Sequence, residues 1–225
     1  MNIATNIAKS SQKNVCVFSL EMSAEQLASR MLSSEALVDS YAIRSGNLTT
    51  DQYKKLADAA ADLSESNILI DDTTGITVTR MKAKLRRVKN LGLVVVDYLQ
   101  LMQGERNGDN RVLEVGDISR GLKILAKELK IPVICCAQLS RGPESRTDKR
   151  PMLSDLRDSG AIEQDADIVM FLYRDEYYKA PGDGEQSVAE CIVAKNRHGS
   201  TGTVKLGWIG QFTKFITQDL DHEEE

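Results

Sequence analysis

The sequence predicts an α/β fold: a mostly parallel sheet flanked by helices, with antiparallel strands toward the carboxyl end. Three observations predict it. Apolar strand-like runs alternate with segments of helical apolar spacing along most of the 225 residues. Residues 91–97 (Leu-Gly-Leu-Val-Val-Val-Asp) are a continuous run of the kind buried on both faces of a parallel sheet. Beyond residue 190 the helices stop, and short alternating runs follow one another through glycines.

Ile3, Ala4, Ile7 and Ala8 give residues 1–9 helical spacing. Residues 15–20 are the first strand. Ser23 with Gln26 is a capping box that opens a helix reaching about Val38, with Leu27, Met31 and Leu32 on one face. Thr49 with Gln52 opens another, carrying Tyr53, Leu56, Ala60 and Leu63. Residues 68–70 are a short strand. Val78, Met81, Leu85 and Val88 stripe a helix whose other face holds Arg80, Lys82, Lys84, Arg86, Arg87 and Lys89; such a face is usually solvated. After the strand ending at Asp97 and a polar loop, residues 112–130 read as helix, although Gly116 and Gly121 each weaken it by about 1 kcal/mol. Residues 131–137 and 168–172 are strands, separated by a loop at 140–151 too long for a plain connector. Residues 177–186 are a turn region, and 190–194, 203–208 and 212–217 are strands expected at one end of the sheet.

At 41% hydrophobic the chain can bury one sizeable core, read here as a single domain over residues 1–218 with an acidic tail at 219–225. A net charge of −4 excludes bulk electrostatic attraction to nucleic acid, though not local contacts. Cys16, Cys135, Cys136 and Cys191 sit in apolar runs without C-x-x-C spacing, as core residues in a reducing compartment do. With no signal peptide and no long apolar span, a cytoplasmic location away from membranes is expected.

Three strands end in polar residues suited to hydrolysing a phosphoanhydride: Glu21, Asp97 and Gln138. Ligands of open parallel sheets sit beyond the carboxyl ends of the strands. Asp97 would hold magnesium, since hard cations take oxygen ligands. Glu21 would polarise the attacking water, and Gln138 would donate to the terminal phosphate. Lys195-Asn196-Arg197 follows a strand; Arg197 is either a solvated corner or a cation offered to a neighbouring subunit's phosphoryl group. The segment from Ser154 to Asp167, with Arg157 and Gly160, is either an amphipathic connector with Leu156 and Ile162 inward or a backbone contact for a phosphodiester. No G-x-x-x-x-G-K-[ST] loop occurs. The helix at the front reads as one that would follow such a loop, so a chain starting just after it is expected.

Together the motifs resemble one family, the carboxy-terminal motor domain of DnaB-type replicative DNA helicases. The resemblance rests on Phe18-Ser19-Leu20-Glu21-Met22, Val96-Asp97-Tyr98-Leu99-Gln100-Leu101, Ala137-Gln138-Leu139-Ser140-Arg141, Lys149-Arg150-Pro151 through Asp167, and Lys195-Asn196-Arg197 with Gly199 and Gly202. It implies a RecA-like fold lacking its first, phosphate-loop strand, whose absence would expose apolar surface on both neighbouring strands. It implies a hexameric ring around single-stranded DNA that burns ATP to translocate. Glu21 is similar in position to the catalytic glutamate, Asp97 to the magnesium-binding aspartate and Gln138 to the phosphate sensor. Lys195 and Arg197 match the pair reaching the neighbour's nucleotide, and Arg157, Asp158 and Gly160 the loop on the DNA backbone. A helicase loader and primase are the further candidate partners. Asp158 replaces a frequent glutamate and Ser200 a frequent proline. The readings it stands against are another RecA-family ATPase, and an inactive regulator that joins helicase rings.

Overall fold

The computed structural model describes residues 1–105, 110–156, 160–175 and 187–218. The expected tail at 219–225 and the turn at 177–186 lie outside the described residues. The elements run α1 (Asn2–Ser11), β1 (Asn14–Ser19), α2 (Ala24–Ala36), α3 (Ser40–Ser45), α4 (Thr50–Glu65), β2 (Ile68–Asp71), α5 (Val78–Leu85), β3 (Leu91–Asp97), α6 (Arg111–Leu129), β4 (Val133–Cys135), α7 (Gly160–Asp165), β5 (Ile168–Tyr173), β6 (Ser187–Asn196), β7 (Gly202–Ile209) and β8 (Lys214–Thr217).

Four strands form a parallel sheet in the order β2-β1-β3-β4. Alternation along β1 and β3 explains its two covered faces. Val15, Val17 and Leu93 pack against Ala4 and Ala8 of α1 and Leu27 of α2. Cys16, Phe18, Val94 and Val96 turn the other way, onto Met81 and Leu85 of α5 and Val115, Ile118, Leu122 and Leu125 of α6. Both capping boxes form, at Ser23 with Gln26 and at Thr49 with Gln52. The two glycines of α6 have a packing reason: a Cβ on Gly116 would meet Ala161 of α7 at 3.3 Å, and one on Gly121 would meet Val78 of α5 at 3.2 Å. The helix gives up propensity and gains close neighbours.

The four carboxyl-terminal strands pair antiparallel as β5-β6-β7-β8, in a sheet of their own. This corrects the expectation that they extend one end of the parallel sheet. β4 has only three residues and pairs with β3 alone, so nothing hydrogen-bonds it to β5. Both are therefore terminal strands with an unpaired edge among the described residues. β5 carries Ile168, Met170 and Leu172 at 52%, 49% and 59% exposure, whereas β4 is half-buried throughout, so the expected apolar surface is open on one of the two strands and not on both. The two layers meet through α6 and α7, with Ile162 of α7 packed on the larger core cluster. Lys123 of α6 is also paired with Asp167 ahead of β5. Among the described residues no helix is long and apolar enough to cross a membrane.

Candidate active site

Adjacent parallel strands deliver their carboxyl ends to one edge, and β1, β3 and β4 are adjacent. Glu21 follows β1, Asp97 closes β3 and Gln138 follows β4. All three line one cleft of about 250 Å³, together with Tyr98, Cys136 and Ala137. The rim is pinned by main-chain bonds: Leu20 N–H donates to the Asp97 carbonyl at 2.7 Å, Cys136 N–H to that of Val96 at 2.9 Å, and Leu99 N–H to that of Cys136 at 2.9 Å. The Ser19 hydroxyl donates to the Met22 carbonyl at 2.6 Å and closes the turn that carries Glu21. The peptide between Asp97 and Tyr98 is cis. Asp97 is half-buried, while Glu21 and Gln138 are open to solvent.

Cys136 departs from its expected place in the core. β4 ends one residue earlier, so this thiol is exposed in the cleft. Although the residue is open to solvent, partial desolvation of its sulfur, then the neighbouring Asp97 carboxylate, push its pKa up. The other three cysteines are free and at least partly buried, as expected. Burial holds the Met1 amine below its ordinary pKa, with Cys136 and Asp97 acting the other way.

This donor set fits a nucleotide's magnesium better than a structural metal. Among the described residues no three His, Cys, Asp or Glu side chains cluster as ligands, which zinc would need. Magnesium keeps several waters and takes one or two carboxylates plus phosphate oxygens, and Asp97 with Glu21 suits that.

Lys195 and Arg197 do not line this cleft. Their side chains donate to the carbonyls of Glu163 and Gln164, at the carboxyl end of α7, where cations are favoured. Arg197 Nε also lies 3.8 Å from Asp167. The Lys123 ammonium, then Arg197, holds the Asp167 carboxyl below its usual range. Gly160 opens α7, with open space where a Cβ would stand. Arg157 and Asp158 lie outside the described residues. Leu156 pairs with Leu139 rather than only packing inward, and Ile162 does pack inward. On the basic helix, Lys82 pairs with Glu128 and Lys84 with Asp71, which suits a solvated face.

The contacts of two groups of residues escaped the sequence reading. The loop after Gln138 is closed at its neck: Leu139 bridges Leu156, and Ser140 N–H donates to the Asp155 carbonyl at 2.8 Å. Inside it, the Arg146 guanidinium grips the buried Asp155 carboxylate with bonds of 2.8 and 2.6 Å. Arg150 reaches Glu190 on β6 in the same two-pronged way. The other is Gln100, whose side-chain amide bonds both polar main-chain groups of Gln138. Its signal was its place in the motif at residues 96–101, three residues after Asp97, which gave it no role.

A family model for the DnaB-like helicase C terminal domain matches residues 1–217. The chain belongs to that family. It is 51% identical to the replicative DNA helicase DnaC of Bacillus subtilis (strain 168) over 96% of its own length and 48% of the relative's. It is 50% identical to the replicative DNA helicase DnaB of Geobacillus stearothermophilus, over 100% of its length and 50% of that protein's. It therefore spans about half the length of these curated relatives. Two solved structures superpose with a TM-score of 0.90 at 38% identity, each over 96% of this chain. One is a DnaB-like replicative helicase, described with its interactions with primase and matched over 54% of its chain. The other is an ATPase domain, matched over 78% of its chain.

Proposed function

We propose that this DnaB-family chain is the motor part of a replicative helicase, coupling ATP hydrolysis to translocation on single-stranded DNA and unwinding of the duplex. The gathering of Glu21, Asp97 and Gln138 in one cleft carries the reading. ATP binds with its phosphates at that edge, beyond the carboxyl ends of the parallel strands. Glu21 orients and polarises the attacking water. Gln138 donates its amide to the terminal phosphate and so registers its presence. Magnesium held by Asp97 supplies charge neutralisation for the phosphate oxygens.

Lys195 and Arg197 act on a neighbouring subunit's nucleotide, where a guanidinium stabilises charge on the transferring phosphoryl group. This requires a ring, taken as a hexamer, in which both cations leave the carbonyls of α7. Arg157, Asp158 and Gly160 bond the DNA backbone, and the closed loop between Gln138 and residue 156 links their segment to the cleft. Primase and a helicase loader are the protein partners. The open edges of β4 and β5 suit one further strand between them. Residues 1–225 alone hold little nucleotide, because the glycine-lysine phosphate loop does not occur among them; magnesium-dependent hydrolysis by the purified chain, lost in Glu21→Ala, would refute that.

The reading is tested with the full-length gene product, by ATP hydrolysis and strand displacement. Glu21→Gln is expected to lower hydrolysis by about 10²-fold or more while nucleotide still binds. Hydrolysis at the wild-type rate in that variant would overturn the assignment.

A further inference from the structure

The main-chain ladder between β3 and β4 runs out just before Gln138. Its last bonds join Cys136 N–H to Val96 and Leu99 N–H to Cys136. Past that point the β3 side has turned away into the 3-10 turn Leu99–Leu101 and has no further main-chain partner to offer. The side chain of Gln100, on that turn, takes the partner's place. Its Nε2 donates to the Gln138 carbonyl at 3.3 Å, and its Oε1 accepts from the Gln138 N–H at 3.0 Å. One amide thus satisfies both polar groups of one residue, as a neighbouring strand would. Only this orientation works, since a flipped amide sets oxygen against oxygen and N–H against N–H.

Gln100 is itself anchored. Its carbonyl accepts from Arg111 Nη2 at 2.6 Å, and Arg111 is paired with Glu114 on α6. On the far side of Gln138, the bridge between Leu139 and Leu156 fixes the following residue. Gln138 has an exposed side chain on a main chain held from both directions.

We propose that Gln100 is a positioning residue, whose amide sets where Gln138 stands relative to Asp97 in the cleft. The proposal rests on the reading of Gln138 as the group that meets the terminal phosphate. Misplacing such a group by about 1 Å costs up to about 10²-fold in rate. Loss of the clamp therefore acts on turnover more than on nucleotide affinity.

The test is steady-state ATP hydrolysis by the full-length gene product carrying Gln100→Met, which keeps shape without the bonds, and Gln100→Glu, which keeps one acceptor but loses the donor. In both, kcat is expected to fall by about tenfold or more with KM for ATP within about twofold. Adding Gln138→Ala to Gln100→Met should cost nothing beyond Gln138→Ala alone, because the two act as one unit. The ratio of Gln100→Glu to wild-type kcat should rise as pH falls toward about 5, since a protonated carboxyl donates and accepts as the amide does. Should Gln100→Met fail to fold, Gln100→Glu decides through that pH profile. Wild-type kcat in the Gln100 variants beside an impaired Gln138→Ala would overturn the proposal and leave the Gln138 reading standing. Wild-type kcat in Gln138→Ala would overturn both.

Discussion

The two sheets bring charged groups to an edge in different ways. In the parallel sheet both faces are buried, so β1 and β3 are almost wholly apolar and their polar residues collect where the strands end. In the antiparallel sheet one face of β5 buries Val169, Phe171 and Tyr173 while the other faces outward. Lys195 and Arg197, at the end of β6, are spent on the carbonyls of α7, away from the cleft. The first sheet holds a set of groups that can act on one phosphate. The second holds groups whose proposed target is on another molecule.

That division of labour can be broken most sharply with mixed rings. Alone, Arg197→Ala should lose about 10³-fold or more in hydrolysis, and Glu21→Gln should be similarly poor. Mixed together, some interfaces pair an intact Glu21 with an intact Arg197, and the mixture should hydrolyse ATP faster than either variant. No gain on mixing would place both residues in the same site and end the comparison.

The closed loop between the sheets should give the next largest effect. Asp155 is buried, and Arg146 holds its carboxyl below the usual range. Asp155→Asn is expected to cost about 2–3 kcal/mol in urea unfolding, because the guanidinium loses its charged partner. A depressed folded pKa stabilises above the unfolded value and loses that contribution as pH falls through the folded one. The gap between wild type and Asp155→Asn should therefore be full above about pH 4 and close below it. A gap constant from pH 7 to pH 3 would show that the pair does not titrate as the geometry requires.

The smallest effect separates stability from the site. Ser23→Ala and Thr49→Ala each remove a capping box and should cost about 1 kcal/mol. Only Ser23 adjoins the turn that carries Glu21, so only Ser23→Ala should also slow hydrolysis. Equal rates in the two variants would mean that the cap does not brace the turn.

What the sequence revealed follows the same line between local and distant information. The apolar runs of β1 and β3 and both capping boxes are local patterns, and each formed where its residues said it would. That Glu21, Asp97 and Gln138 share one edge was legible because a strand end is visible in sequence and parallel neighbours deliver their ends together. The six-residue α3, capped by Asp39 and closed at Gly46 with φ 71°, was missed because it has no apolar stripe to announce it. The separation of the sheets depends on which strands pair, and no local pattern records that. The bonds from Lys195 and Arg197 end on main-chain carbonyls, which every residue has. The grip of Gln100 on Gln138 requires the turn after Asp97 to be folded first.

The edges of β4 and β5, bare among the described residues, bear on how the molecule behaves in a tube. An unpaired strand invites another copy to add to it, and the apolar row of Ile168, Met170 and Leu172 offers such a visitor a sticky face. Concentrated solutions of the isolated 225 residues should clump through this seam. A single outward-facing charge, as in Met170→Lys, would be the simplest remedy for anyone wishing to crystallise or spectroscopically study them.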